Sequence, residues 1–198
     1  KVLTEKGEYD CTLTFANYEA ASLTLSVDSD PTTILFDPNT ELLFKIEDNF
    51  DPGQTILLNV LRNAPDIFNR IFAAHQFIKH HASTSKLLMN DLIESLKTET
   101  HYGVRAQIAH SLSENKSIHA ARALCWMLEH EKEPMAHMQV TKSMIEFRDD
   151  TIKQSVLNYL KRADQELLPY ITHGNALNAL ASQRLSADRK STRLNSSH

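Results

Sequence analysis

The period of the apolar residues changes once along this chain, from every second residue before Asp51-Pro52-Gly53 to about every 3.6 residues after it. Alternation suits a strand with one buried face, and the longer period suits a helix that buries one stripe. The sequence therefore joins a small β piece to a larger helical one. In the β piece Tyr9, Cys11, Leu13 and Phe15 alternate with polar residues, as do Ala21, Leu23, Leu25 and Val27, which predicts two antiparallel strands. Ile34-Leu35-Phe36 and Leu42 to Ile46 make two further extended runs around the turn signal Asp37-Pro38-Asn39. One face of such a sheet needs cover and no later segment supplies a second sheet. Residues 1–47 are thus expected to be the trailing strands of an antiparallel β-sandwich.

Past the change of period, Ile56, Leu57, Val60 and Leu61 stripe one short helix, and Ile67, Ile71, Ala74 and Ile78 stripe the next behind Asn63-Ala64-Pro65. Further helices are expected over 85–97, 102–113, 117–130, 134–147, 150–161 and 170–183, with Gly103, Asn115, Pro134, Asp149 and Pro169 in or beside their connections. Only 4 glycines and 6 prolines occur in 198 residues, too few for a loop-rich or all-β chain.

These helices repeat. Arg70-x-x-x-Ala74-His75-x-Phe77 is matched 35 positions on by Arg105-x-x-x-Ala109-His110-x-Leu112, again at Met144 and Phe147, and loosely at Leu177 and Leu180. Two helices per unit at such a period are the signature of an α-solenoid of antiparallel helix pairs, and about four units fit between residues 54 and 184. The fold class expected is mainly α: a solenoid over 48–187 preceded by a small, partial antiparallel β-sandwich. Residues 188–198, rich in Ser, Arg and Asn, show neither period and read as an unstructured, non-native tail resembling translated sequencing adapter.

A formal charge of −4 leaves no basic surplus for nucleic acid. No apolar run approaches the roughly 18 residues of a membrane span, and the start at Lys1 has neither a methionine nor a signal-peptide pattern, so the sequence reads as a piece of something longer. Cys11 and Cys125 lie far apart in segments of different character, which points to buried thiols in a reducing, cytoplasmic setting.

Ten histidines raise the question of a metal. Yet His75, His80 and His81 lack a partner at HExxH spacing, and His130 and His137 straddle the helix break expected at Pro134. No serine stands in a G-x-S-x-G elbow, and Gly7, Gly53, Gly103 and Gly174 cannot form a phosphate loop. Glu129, Glu131 and Glu133 around His130 read as a solvated helix end. Arg70 and Arg105 are the residues that stand out. Each is either a structural arginine bonded to neighbouring turns or an anion- or peptide-contacting group on the inner face of a solenoid. No catalytic, metal-binding or cofactor-binding residue is assigned.

Several segments together resemble one family. Phe36-Asp37-Pro38-Asn39-Thr40-Glu41-Leu42-Leu43 is similar to the strand that leaves the β-sandwich of zinc aminopeptidases related to aminopeptidase N. Asn63 to Ala74 resembles the helix that opens their HEAT-like C-terminal domain, and His101 to Ala109 resembles a further helix start there. The order also corresponds, over about residues 8 to 185. The resemblance implies a noncatalytic C-terminal part of a metallopeptidase whose zinc, HExxH helix and substrate-amine segment lie upstream. None of those motifs occurs in this chain, so no zinc or other cofactor is expected in it. The implied partners are the upstream catalytic domain and, in the parent, a peptide substrate, with the helices walling the active-site chamber. Two alternatives stand beside it: a HEAT-repeat scaffold that binds protein partners through its groove, and an inactive relative of the peptidase that keeps the scaffold alone.

Overall fold

A computed structural model describes residues 1–14, 22–39, 41, 50–163 and 172–182. The fold is mainly helical with one small antiparallel sheet. The chain divides into two compact units, Lys1–Phe77 and Ile78–His198.

Among the described residues, the first unit holds three strands and two helices. Strand β1 (Val2–Thr4) lies between β2 (Glu8–Tyr9) and β3 (Pro31–Ile34), antiparallel to both, with Val2 opposite Tyr9 on one side and Ile34 on the other. A register shift lies between Leu3 and Thr4 on the β3 side, and the Lys1 main-chain nitrogen donates to the Leu35 carbonyl at 2.8 Å. Helix α1 (Gln54–Asn63) starts behind Gly53, whose φ of +98° is open to a residue without a Cβ, and Asp51 Oδ1 accepts the Gly53 N–H at 2.9 Å. Leu57, Val60 and Leu61 bury its apolar stripe, and the helix packs on β3 and on α2 (Ile67–Phe77).

Polar side chains tie these helices to the β piece. Asn59 Nδ2 donates to the Thr32 carbonyl at 2.8 Å and to Thr33 Oγ1 at 2.6 Å. Asn69, fully buried in α2, pairs with the main chain of Phe36: Oδ1 accepts its N–H and Nδ2 donates to its carbonyl, both at 2.8 Å. The Phe36 ring stands edge-on to Phe50 at 4.9 Å and Phe72 at 5.6 Å, pairs worth about 0.5–1.5 kcal/mol each beyond their burial. Because α1 and α2 share this core with the β residues, the boundary between compact units falls at 77/78, whereas the change of sequence period falls near residue 50.

The second unit opens with a π-helical turn, Ile78–Ala82. It continues through α3 (Lys86–Thr98), α4 (Tyr102–Asn115), α5 (Ile118–His130), α6 (Pro134–Met144), α7 (Asp150–Ala163) and helical residues 172–182. Helix α3 packs on α5 and α5 on α7, while α4 packs on α6; α5 also touches α4 and α6. Leu92, Ile108, Leu112, Leu124, Val140, Met144, Ile152 and Val156 fill the core between them. Each contributes about 1.5–3 kcal/mol by its burial.

Helix starts follow a regular interval. Gln54, Lys86, Ile118 and Asp150 open α1, α3, α5 and α7, each 32 residues after the last. The residues before the last three are N-caps: Ser85 Oγ accepts from Leu88 N–H, Ser117 Oγ from Ala120 N–H and Asp149 Oδ1 from Thr151 N–H. The spacing of 35 read from sequence compares α2 with α4, whose starts at Ile67 and Tyr102 differ by that number because α3 has 13 residues where α1 has 10. From α4 to α6 the interval is again 32, so Met144 is equivalent to Leu112 rather than to Ala109.

Other differences are local. The alternating residues 10–14 and 22–27 are not strands, and Phe15, Ala21 and the run Leu42 to Ile46 lie outside the described residues, as do Pro169, the ends of the helix expected over 170–183, and the tail. Strand β1 has too short an apolar run to be visible without its partners. Helix α6 ends at Met144, three residues early, because Ile145, Glu146 and Phe147 each bond the carbonyl three residues back and tighten the chain into turns.

Candidate interaction site

Arg70 and Arg105 each occupy the fourth position of a helix, α2 and α4. Arg70 Nη1 donates to the carbonyls of Ala64 at 2.9 Å and Pro65 at 3.1 Å; Arg105 Nη1 donates to the carbonyl of Glu99 at 2.9 Å. Ala64 and Glu99 are the C-caps of α1 and α3, so in both places an arginine satisfies a carbonyl that the helix end leaves open. The fourth residue of α6 is His137, and it does related work. Its Nε2 lies 3.3 Å from the Leu128 carbonyl in the last turn of α5 and must carry the proton there, since a carbonyl only accepts. Its Nδ1 is buried without a hydrogen-bond partner, and its ring lies 5.1 Å from that of Tyr159.

Arg105 does more than cap. Its Nε donates to Glu131 Oε2 at 2.7 Å and its Nη2 to Glu131 Oε1 at 2.9 Å, a two-pronged pair with the Glu131 side chain only 4% exposed. Glu131 Oε1 also accepts the main-chain N–H groups of Lys132 and Glu133. Burial pushes the Glu131 carboxyl up, but the Arg105 bond, the N–H groups and the guanidinium charge together outweigh it and hold the carboxyl below its ordinary range. The bond to Glu131 raises the Arg105 pKa in turn, against the opposing effect of burial. Leu96, Trp126, His130 and this ion pair line an open cavity of about 420 Å³, where the Trp126 and His130 rings stack at 4.5 Å. Among the triad Glu129, Glu131 and Glu133, then, Glu131 is a turn-organising group with its oxygens committed.

A second, larger cavity of about 650 Å³ runs between α4 and α6. Gln107, His110 and Glu114 line it from α4, and Gln139, Lys142 and Glu146 line it from α6 and the turn beyond, each 32 residues after its counterpart. The groove thus repeats the order amide, base, acid on both walls, a signal that the 35-residue comparison misses. His110 Nε2 lies 3.9 Å from Glu114 Oε1, Lys116 Nζ 3.2 Å from Glu146 Oε2, and Gln139 Nε2 donates to Ser143 Oγ at 3.2 Å.

Burial in this arrangement does not make a nucleophile. It raises the Cys125 thiol to about 11, and the thiol lies 3.8 Å from the Thr151 carbonyl. The described residues hold no group of three or more His, Cys, Asp or Glu placed to share a metal ion. Among them no helix is long and apolar enough to cross a membrane. Compared with family models, curated proteins and solved structures, the chain matches none of them.

Proposed function

We propose that this chain is a noncatalytic, HEAT-like helical part of a zinc aminopeptidase related to aminopeptidase N, with the end of that protein's β-sandwich attached. The observation that carries the proposal is the junction of Phe36 with Asn69. The two segments with the most detailed resemblance to that family, around Phe36 and around Asn69, are paired main chain to side-chain amide in this chain, which supports reading them as parts of one continuous junction. The 32-residue interval of helix starts supports the solenoid reading, as do the contacts of α3, α5 and α7 in one series and of α4 with α6 in another. In this role the helices wall the chamber of an upstream, zinc-bearing catalytic domain and limit the size of the peptide that enters, and the parent works in the cytoplasm. Arg70 and Arg105 then act as cap-holding residues within the wall.

The groove between α4 and α6 favours a second reading, a scaffold that binds protein segments without any peptidase attached. Both readings make the chain itself inert. The test is an assay of the purified chain on aminoacyl reporter amides with added zinc. No turnover above a zinc-only blank is expected, and reproducible turnover overturns the noncatalytic assignment.

A further inference from the structure

Three helix junctions in this protein are closed by the same device, and one of them can titrate. The fourth residue of α2, of α4 and of α6 reaches back to a carbonyl at the end of the helix before it: Arg70 to Ala64, Arg105 to Glu99 and His137 to Leu128. A guanidinium keeps its proton at any pH at which a protein folds, so the two arginine clasps are indifferent to acid. An imidazole is not, because an exposed one takes up a proton near about pH 6.5.

His137 also stands where four elements meet. Its Nε2 bonds α5, its ring lies 5.1 Å from that of Tyr159 in α7, and the Tyr159 ring lies 6.1 Å from that of His173 in helical residues 172–182. Asn175 Nδ2 donates to the Met138 carbonyl and Ser182 Oγ to the Ile145 carbonyl, both at 3.3 Å, and these bonds hold residues 172–182 along α6. His137 and Tyr159 are both buried. A proton added at Nδ1 therefore sits in the core with no acceptor among the described residues. The charged groups that face the ring do not make up for its burial. Glu131, at the end of α5, attracts the proton, but its oxygens are engaged by Arg105 of α4 and by two main-chain N–H groups. Arg162 of α7 repels it, and His173 beyond Tyr159 is a further base.

We infer that His137 is an acid-opened clasp: a proton taken from solvent at Nδ1 parts α7 and helical residues 172–182 from α5 and α6, while α3 and α4 stay packed. Moving the layer that carries Tyr159 and His173 lets water reach the imidazolium, and α3 has no part in the clasp. The device uses only the described helices, so it holds whether or not a peptidase lies upstream.

The experiment is hydrogen–deuterium exchange of the full chain, read by mass spectrometry at pH 7 and at pH 5.5 and corrected for the intrinsic pH dependence of exchange. Uptake of one proton raises opening by at most about tenfold per pH unit. Peptides from 150–163 and 172–182 should therefore lose protection by about three- to eightfold at the lower pH, and peptides from α3 and α4 by less than about twofold. His137→Gln keeps a donor for the Leu128 carbonyl, carries no titrating group and should abolish the difference. Unchanged protection of 150–163 and 172–182, an equal loss in α3 and α4, or a folded His137→Gln protein that keeps the loss would overturn the inference. The first two outcomes are read from the parent alone, so they decide the matter even if the variant does not fold.

Discussion

Arg105 grips Glu131 with two parallel hydrogen bonds, at 2.7 and 2.9 Å, while its remaining prong holds the Glu99 carbonyl at the end of α3. One side chain thus fastens the turn before α4 to the turn before α6. Replacing Arg105 with Ala leaves a nearly buried carboxylate with only its two main-chain partners. The loss should be about 2–4 kcal/mol in urea unfolding, and Arg105→Lys should recover less than half because an ammonium cannot reproduce the fork. A variant within about 0.5 kcal/mol of the parent contradicts this role.

The same pair sets an acid dependence. The folded Glu131 pKa lies below its unfolded value, so the unfolded state binds the proton more readily. The stabilisation is present above the ordinary glutamate value of about 4.3 and is lost as pH falls through the folded value. Urea midpoints measured from pH 6 down to pH 3 should therefore fall more steeply for the parent than for Glu131→Gln.

His137 gives a dependence in a higher window. Burial lowers its pKa, with the Arg162 charge acting the same way and the Leu128 bond and the Glu131 charge opposing. The neutral ring is the stable form, and a proton added at Nδ1 meets no acceptor. The unfolded state binds the proton first, so stability is full above about pH 6.5 and declines as pH falls below it toward the folded value. His137→Gln keeps a donor for Leu128 and should flatten the parent's decline between pH 7 and 5. Parallel curves for the two proteins would remove His137 from the account.

Asn69 tests the junction between the β piece and the helices. Its amide nitrogen also lies 3.0 and 3.1 Å from the two carboxylate oxygens of Asp66. Asn69→Asp is nearly isosteric, yet it turns a donor toward the Phe36 carbonyl and Asp66 into a third acceptor. It should destabilise as much as Asn69→Ala, by about 2–3 kcal/mol, and speed amide exchange at Phe36. Tolerance of the aspartate would show that the junction does not depend on the amide.

Much of the helical part was legible in the sequence, because an amphipathic stripe is a local property. The expected 85–97, 102–113 and 117–130 fall within two residues of α3, α4 and α5 at each end. The exact interval is carried by Ser85, Ser117 and Asp149, whereas Arg70 and Arg105 show a longer spacing because α3 has 13 residues where α1 has 10. The strands were not legible. Alternation around Leu13 and Leu25 shows which side chains could share a face, but strand pairing is decided by distant residues, and Val2 pairs with Tyr9 and Ile34 instead. Arg105 could be singled out by its repeat position, whereas its partner Glu131 lies 26 residues on and carries no signal of its own.

What the helices belong to is decided by extending the reading frame upstream of Lys1. The expected result is an HExxH helix followed by a further glutamate, within a chain that runs into the β piece without interruption. An upstream frame that lacks zinc ligands, or joins this segment to an unrelated module, would contradict the peptidase assignment.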